Sequence, residues 1–324
     1  MKKGLKITLS VVVTIIVLIG AFLLWWFVGD SYKDFYGKST KGFAIPGLDD
    51  GFIPQGFCYV ESDQTYLISG YMNDGSASRV YVVKNNQTEK YFTLKNTDNT
   101  DYVGHAGGID TNGESVWVAG DKKVNRFGYP DIALVENGES INIVDTFDPK
   151  NGADFVTVQN DILWIGEFYH ASKYKTPESH HITTPSGEVN HALTFGFTIS
   201  NGSNYGISST TPVKAISMPA QVQGMAITAD KIYLSTSYSL PNSVIYEYAN
   251  KLNSTTSIYE YSEGEEISLL ILDKADLTTS TSAPCMSEEI VIVDGKLCVL
   301  FENACAKYKL FTREKSYNVY LMTI

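Results

Sequence analysis

GHAGGIDTNGESVWVAGD, residues 104–121, holds two short β-prone segments on either side of the turn sequence Thr111-Asn112-Gly113-Glu114. The first segment follows the glycine pair Gly107-Gly108, and the second is rich in Val, Trp and Ala. Strand-forming residues that flank an Asn-Gly turn are typical of a β-hairpin. The stretch therefore predicts two antiparallel strands joined by a short turn.

The same pattern occurs five times in the chain. The other four copies are IPQGFCYVESDQTYLISGY (53–71), NGADFVTVQNDILWIGEF (151–168), QVQGMAITADKIYLSTSY (221–238) and MSEEIVIVDGKLCVLFEN (286–303). Their equivalent positions Gly56, Gly108, Asp154, Gly224 and Glu289 lie 52, 46, 70 and 65 residues apart. Four-stranded propeller blades take about 40 to 50 residues plus insertions, whereas solenoid repeats are usually shorter and more even. The spacing favours a ring of blades.

The sequence therefore predicts an all-β, five-bladed β-propeller over residues 42–324. Six blades would result if residues 251–277 contained a degenerate unit. Glycine at the start of a unit suits an innermost strand, where neighbouring backbones approach closely. A strand near residues 42–46 is expected to complete the last blade, because an unclosed ring would leave two exposed sheet edges. The third or fourth strands of the units are predicted at 79–83, 132–135, 193–199, 243–248 and 317–324.

The repeats resemble the β-propeller superfamily of extracytoplasmic proteins, and more distantly its gluconolactonase, strictosidine-synthase and NHL-type groups. The resemblance covers residues 42–324 at the level of the blade pattern. No WD dipeptide, kelch glycine pair or aspartate box recurs here. Those groups usually have six blades, whereas five are counted in this chain, so the resemblance implies a fold and does not imply their activities.

The N-terminus predicts a membrane anchor. Residues 7–28 contain no charged side chain and are about as long as a bilayer-spanning helix. Lys2, Lys3 and Lys6 precede the run, which by the positive-inside rule places the bulk of the chain outside the cell. A cleaved signal peptide would need a shorter apolar region and a small-x-small site, which is missing around residues 25–30. The expected organisation is a cytoplasmic tail at 1–6, a signal anchor at 7–28, a linker at 29–41 and the extracytoplasmic propeller at 42–324.

Composition excludes several functional classes. The formal net charge is -11 and no stripe of Lys and Arg stands out, so binding to nucleic acid is not expected. The chain contains no G-x-S-x-G, P-loop or G-x-G-x-x-G sequence. Serine-hydrolase, ATP and NAD chemistry are correspondingly disfavoured.

Hairpin geometry places two sets of polar residues at one face of the ring, because the first strand of each unit leaves that face and the second returns to it. The first set is Gln55, His105, Asp154, Gln223, Glu288 and Glu289, and the second is Tyr71, Asp121, Glu167, Tyr169, Tyr238 and Glu302. Polar groups that converge on the mouth of a closed β structure form a candidate ligand site. Solvated channel lining is the alternative interpretation.

The acidic members of these sets admit two further hypotheses. Asp154, Glu167, Glu288, Glu289 and Glu302 could supply oxygen ligands to a calcium ion, although no compact ligand motif is present. A pair of carboxylates about 5 to 10 Å apart could instead hydrolyse a glycosidic bond. Sequence spacing alone does not establish either arrangement.

The third unit contains the longest insertion, and four of the five histidines of the chain lie there: His170, His180, His181 and His191. With Glu167 and Glu188 they could bind zinc, but their spacing matches no standard zinc signature. A structured polar loop over the mouth is the preferred interpretation. Its aromatic and polar side chains would suit a sugar or another polar ligand; these are Tyr169, His170, Tyr174, His181 and Asn190.

The four cysteines are Cys58, Cys285, Cys298 and Cys305. If Asp294-Gly295 forms a two-residue turn, the hairpin register brings Cys285 and Cys305 to the same end, and a disulfide between them is predicted. Cys58 and Cys298 fall within strands and are expected to be buried as small apolar residues.

The preferred functional hypothesis is a membrane-anchored binding module that takes a small polar ligand, a glycan or a protein partner at one face of the propeller. The alternative is a calcium-assisted hydrolase of lactone, ester or glycosidic bonds that uses channel carboxylates. A third hypothesis is a scaffold in a membrane complex. Binding is preferred because no catalytic constellation stands out.

Overall fold

A computed structural model describes residues 10–22, 32–255 and 257–324 of the chain. Most of its strands form five mainly antiparallel blades, each built around one of the five repeats. Buried apolar side chains fill the spaces between adjacent blades, as is usual when sheets pack face to face.

The strands are named in chain order from β1 to β25. Blade 1 contains β2 (Phe52–Val60), β3 (Thr65–Met72), β4 (Arg79–Lys84), β5 (Gln87–Lys95) and the short β9 (Ser140–Asn142). Blade 2 contains β6 (Gly108–Thr111), β7 (Ser115–Gly120), β8 (Lys123–Gly128) and β10 (Asp145–Phe147). Blade 3 contains β11 (Phe155–Gln159), β12 (Ile162–Gly166), β15 (Ala192–Thr198), β16 (Lys214–Met218), β21 (Glu265–Ile271) and β20 (Ser257–Ser262).

Blade 4 contains β17 (Val222–Ile227), β18 (Lys231–Thr236), β19 (Ser243–Ala249) and β22 (Leu277–Ala283). Blade 5 contains β23 (Ser287–Val293), β24 (Lys296–Phe301), β25 (Asn318–Thr323) and β1 (Ser39–Ala44). A separate small hairpin pairs β13 (Ile182–Thr183) with β14 (Val189–Asn190) inside the insertion of the third unit. The two short helices are α1 (Lys33–Lys38) and α2 (Asp131–Leu134).

The inner strands close a ring. The contacts run from β2 to β6, then to β11, β17 and β23, and from β23 back to β2. Each of these strands begins at the same face of the disc, and each second strand ends there. We call this side the mouth face and the opposite side the far face. The five-bladed propeller that the repeats predict is therefore confirmed.

Glycines at the inner strands allow this ring to be narrow. A Cβ atom on Gly56 would lie 2.7 Å from the backbone nitrogen of Ile109, and one on Gly224 would lie 2.6 Å from the Cα of Glu289. Both atoms belong to the next inner strand. The expectation that glycine permits close approach at the channel is thus confirmed.

A matched pair of glycine substitutions tests this packing. A Cβ on Gly108 would lie 2.6 Å from the Cα of Phe155, whereas Gly37, in α1, has no neighbouring atom within 4 Å of its Cβ position. We expect Gly108→Ala to lower the free energy of unfolding by about 2 kcal/mol. Gly37→Ala should raise it by about 0.5–1 kcal/mol, because alanine favours the helix. Urea unfolding of the two variants measures both changes, and equal effects would contradict the close-approach interpretation.

Blade 5 is completed by the N-terminal part of the propeller, as predicted. Strand β1 pairs antiparallel with β25, with Ser39 opposite Met322 and Ala44 opposite Asn318. The strand begins at Ser39, three residues earlier than the expected stretch. The ring is therefore closed by one strand from the start of the domain and three from its end.

Two details of the sequence interpretation change. Residues 257–271 form β20 and β21, which join the outer edge of blade 3 through parallel pairing of β21 with β16, so residues 251–277 add no sixth blade. The strand predicted at 132–135 is wrong. Asp131–Leu134 is a short helix after Pro130, and the third strand of blade 2 is β8. Proline just before a helix supplies a backbone angle that the helix requires.

Residues 10–22 are helical, and they are the described part of the predicted anchor at 7–28. Across 10–22, 32–255 and 257–324, no helix combines the length and the apolar character needed to span a bilayer. The predicted anchor also includes residues outside the described ones, at both of its ends, and the transmembrane helix is not confirmed.

Candidate functional site

The mouth face carries a β-bulge in three of the five inner strands. The bulges fall between Pro54 and Gly56, between Val222 and Gly224, and between Ser287 and Ile290. The bulges themselves therefore contain Gln55, Gln223, Glu288 and Glu289. Such bulges redirect side chains and often lie beside binding sites. Four residues of the predicted first set are thus placed by one repeated backbone feature.

A cluster of two carboxyl groups and an amide lies between blades 5 and 1. The Nε2 of Gln55 donates to Oε2 of Glu302 at 2.8 Å. Glu288 is buried and interacts electrostatically with Glu302, which is itself partly exposed. Three predicted site residues from two blades therefore meet at the mouth. We call Gln55, Glu288 and Glu302 the carboxyl cluster.

Protonation of the carboxyl cluster is shifted by its surroundings. Burial raises the pKa of Glu302 to about 8. Burial, together with repulsion from Glu302 and Glu289, also holds the pKa of Glu288 well above its ordinary value. At neutral pH the pair therefore carries protons and can both donate and accept hydrogen bonds. Perturbed carboxyls at the mouth of a closed β structure are characteristic of functional sites.

An aromatic wall stands beside the carboxyl cluster. The ring of Tyr71 stacks on His105 with centroids 4.9 Å apart, and its hydroxyl lies 3.5 Å from that of Tyr308. Lys307 donates to the Tyr71 hydroxyl at 2.9 Å and lies 5.0 Å from the centroid of each Tyr ring. The wall combines flat apolar faces, hydroxyl groups and one cation.

A second aromatic group lies across the mouth face on blades 3 and 4. His170 and Tyr238 have ring centroids 4.0 Å apart, and Phe168 and Tyr174 contact the same Tyr238. Asp154 lies at the base of this group, where its Oδ2 accepts from the backbone nitrogen of Phe168 at 2.7 Å. Burial raises the pKa of Asp154 to about 7.

Glu289 points deeper into the ring. Its Oε2 accepts from the backbone nitrogens of Phe57 at 2.6 Å and Ile109 at 3.1 Å, which belong to blades 1 and 2. Its Oε1 is buried without a hydrogen-bond partner. Burial raises the pKa of Glu289 well above its usual range. This side chain connects three blades and lies below the mouth.

The carboxylate of Glu167 is held by its neighbours. Its Oε1 accepts from Nδ1 of His180 at 2.7 Å and from the backbone nitrogen of Leu193 at 2.9 Å, and its Oε2 accepts from Gly152. Glu167 and His180 are both buried. These contacts fix the insertion of the third unit to blade 3. Whether Glu167 also binds a ligand, as the sequence predicts, stays a prediction.

Tyr169, His181 and His191 form a third, separate cluster in the insertion. Tyr169 stacks on His191 with centroids 4.6 Å apart, and His181 packs edge-on against both rings. Thr176 bonds Nε2 of His181 and the carbonyl oxygen of His191. The five mouth-face histidines and tyrosines predicted at 169–238 therefore divide into two groups rather than one pocket.

Within 10–22, 32–255 and 257–324, no group of three or more His, Cys, Asp or Glu side chains is arranged to hold a metal ion. The calcium and zinc hypotheses therefore stay predictions. Two cavities of about 270 and 280 Å³ lie beside β1, one near Cys298 and one near Leu48. Neither is lined by the carboxyl cluster. We assign the candidate site to the mouth because side chains with perturbed protonation converge there.

All four cysteines are buried and each is a free thiol in the structure. The predicted burial of Cys58 and Cys298 is confirmed. The Cys285–Cys305 bond is not formed here, although the turn at Asp294-Gly295 has the expected register, with Val293 opposite Lys296. That pairing stays a prediction.

Three residues of the mouth and channel were not identified from sequence. Lys307 and Tyr308 lie in the connection between β24 and β25, outside the repeated pattern, so no internal comparison indicates them. Asp110 lies in β6, where its Oδ2 accepts from the backbone nitrogen of Val158 at 2.6 Å. Burial raises the pKa of Asp110 to about 7. The sequence feature that could have indicated Asp110 is the presence of an acidic residue within an inner strand.

Comparison with known proteins shows only remote likeness. No family model matches the chain, and no curated protein matches it. Among solved structures, it is similar to Myxococcus xanthus glutaminyl cyclase, with 9% identity over 88% of this chain and 94% of that one and a TM-score of 0.44. A GH43_1 enzyme from Xanthomonas citri gives 7% identity over 91% and 96% of the two chains, with a TM-score of 0.48.

The tail fiber of Staphylococcus aureus phage P68 is 8% identical over 94% of this chain and 56% of that chain, with a TM-score of 0.49. Likenesses this remote do not transfer an activity. No relationship to the gluconolactonase, strictosidine-synthase or NHL-type groups is confirmed.

Proposed function

We propose that this chain is a membrane-anchored, extracytoplasmic propeller that binds a small polar ligand rich in hydroxyl groups, such as a sugar unit of a glycan, at its mouth face. The observation that carries the proposal is the carboxyl cluster beside the aromatic wall. Partly protonated carboxyls supply donors and acceptors for hydroxyl groups, and Tyr71 and Tyr308 offer flat faces for the apolar side of a sugar ring.

The electrostatics favour a small neutral or cationic ligand over an anion. Glu288, Glu302 and Asp154 would all repel an anionic group once deprotonated, and Lys307 is a cation that opposes them at the carboxyl cluster. The chain as a whole carries a formal net charge of -11. Phosphate-bearing ligands are therefore disfavoured at this position.

A screen of neutral and amino sugars against the full chain tests the proposal. Calorimetry should detect binding by the wild type. Glu302→Ala should weaken it about tenfold or more, because alanine removes both the donor and the acceptor of the carboxyl group. Glu114→Ala is the matched control, since Glu114 lies in a turn at the far face and is exposed. Equal binding by wild type and Glu302→Ala, or no binding by any sugar, would contradict the proposal.

Hydrolysis of glycosidic, ester or lactone bonds is a second candidate, which one observation favours. A general acid must hold its proton near the working pH, and the pKa of Glu302, raised to about 8 by burial, satisfies that requirement. Nitrophenyl glycosides and esters would report turnover. Under the hydrolase hypothesis, Glu302→Gln abolishes turnover and leaves sugar binding detectable. Under the binding hypothesis, neither the wild type nor the variant shows turnover.

A further inference from the structure

The chain enters the propeller at the mouth face. The hydroxyl of Tyr32 donates to Oδ1 of Asn242 at 2.8 Å. Asn242 lies in the connection between β18 and β19, which is at the mouth face because β18 ends there. The guanidinium of Arg313 lies 5.9 Å from the centre of the Tyr32 ring. Tyr32 is therefore fixed to the mouth-face rim between blades 4 and 5.

From this rim the chain descends toward the far face. Helix α1 packs between blades 4 and 5, and the ring of Phe35 contacts those of Phe301 and Tyr320. The chain reaches the far end of blade 5 at Ser39, opposite Met322, and β1 then returns toward the mouth. The polypeptide that precedes Tyr32 must accordingly connect to the mouth face.

This entry point limits where a membrane could lie. The apolar run ends at Val28, and only Gly29, Asp30 and Ser31 separate it from Tyr32. Four residue steps span at most about 14 Å. If residues 7–28 lie in a bilayer, the rim at Tyr32 is therefore held close to the lipid surface.

The same rim exposes apolar side chains next to cations. Leu310 is 85% exposed, Phe311 is 61% exposed and Leu240, near Asn242, is 43% exposed. Four basic residues and one acidic residue accompany them within residues 307–315: Lys307, Lys309, Arg313, Lys315 and Glu314. Lys309 also bonds Asp49 at 2.9 Å. We call Leu240 and residues 307–315 the basic rim.

The basic rim lies on the blade 5 side of the mouth face. On the blade 1 side, the connections β3–β4 and β5–β6 carry Asp74, Asp98 and Asp101, of which Asp101 pairs with Lys95 at 3.2 Å. Asp74 and Asp98 would be repelled by an anionic surface. A planar partner of negative charge would therefore contact the blade 5 side and leave the blade 1 side raised.

We infer that the basic rim rests on an anionic lipid surface, with Leu310 and Phe311 inserted among the headgroups. Exposed apolar side chains beside Lys and Arg are characteristic of interfacial membrane contact, and each cation near an anionic leaflet adds attraction. The inference rests on the anchor in the proposed function. In this orientation the mouth faces sideways along the membrane surface. A ligand would therefore approach the carboxyl cluster parallel to the bilayer.

A fluorescence experiment on the full chain tests this orientation. The chain is reconstituted into vesicles of equal parts phosphatidylcholine and phosphatidylglycerol that contain spin-labelled lipid. Each variant has one added cysteine that carries a nitrobenzoxadiazole label. The three variants are Leu310→Cys, Thr97→Cys on the mouth face of blade 1, and Glu114→Cys on the far face. The native cysteines are buried, and the unsubstituted chain reports any label that they take up.

The label at position 310 should be quenched severalfold more strongly than the labels at 97 and 114, and less in vesicles of phosphatidylcholine alone. Equal quenching at 310 and 114, in a chain that floats with the vesicles, would overturn the inference and leave the anchor intact. A chain that does not float with the vesicles would overturn the anchor as well. Sugar binding in detergent measures the mouth site independently of both.

Discussion

Replacing Glu289 with alanine should lower the free energy of unfolding by about 4 kcal/mol. The side chain extends from blade 5 and accepts hydrogen bonds from the backbone nitrogens of Phe57 in blade 1 and Ile109 in blade 2. Alanine would leave both donors unpaired at the centre of the ring and open a cavity there. Unpaired buried donors cost about 1–3 kcal/mol each. The loss would be a large fraction of the stability of an ordinary domain.

Glu289→Gln is the matched control. The amide oxygen can accept the same two bonds, and the side chain keeps its volume, so the loss should stay below about 1.5 kcal/mol. Equilibrium unfolding in urea at a fixed pH compares the two variants. Equal losses in Ala and Gln would contradict the role assigned to this oxygen in holding the three blades together.

The ring could be predicted because the repeats report a constraint that every blade shares. Gly56, Gly108 and Gly224 lie within inner strands, where a side chain would collide with the backbone of the next inner strand. The outer strands carry no such constraint. Strand β8 contains Lys123, Asn125 and Arg126, and its pairing with β7 overrides a sequence that favours no single structure.

The candidate site could be predicted only as far as strand direction determines it. Direction placed Gln55, Glu288 and Glu302 at one mouth, and the structure brings these three together. Strand direction does not reveal which carboxylates already accept hydrogen bonds from other parts of the protein. Glu167 occurs at the end of a second strand, as Glu302 does, yet it is occupied by His180 and two backbone nitrogens. The difference between Glu167 and Glu302 depends on hydrogen-bond partners that other parts of the chain supply.

The propeller should be most stable at mildly acidic pH and should lose several kcal/mol as the pH rises from about 5 to about 8. Five carboxyls have raised pKa values, chiefly through burial: Asp110, Asp154, Glu288, Glu289 and Glu302. A group whose pKa is higher in the folded state binds its proton more tightly there. Its contribution is complete below its unfolded pKa, near 4, and is lost as the pH passes the folded value, which is about 7 for Asp110.

Other groups act in the opposite direction and set the acidic limit. The pKa of Asp273 is lowered by bonds from Ser186 that outweigh its burial, so its contribution is lost below about pH 4. Burial lowers the pKa of His105 and His191, which therefore add stability as the pH rises toward their unfolded value near 6.5. Two histidines cannot offset five carboxyls, because one pKa unit corresponds to about 1.4 kcal/mol for each group.

Urea unfolding between about pH 4 and about pH 9 measures how stability depends on pH. Two variants show which groups cause that dependence. Glu289→Gln removes one titrating carboxyl without removing its acceptor oxygen, so its stability should fall less steeply above pH 5 than that of the wild type. Asp273→Asn should reduce the pH dependence of stability only at the acidic end of the range, towards about pH 4. A wild-type curve that rises from pH 5 to pH 8 would mean that the buried carboxyls are ionised in the folded ring. The mouth would then be strongly anionic and would select a cationic ligand in place of a neutral sugar.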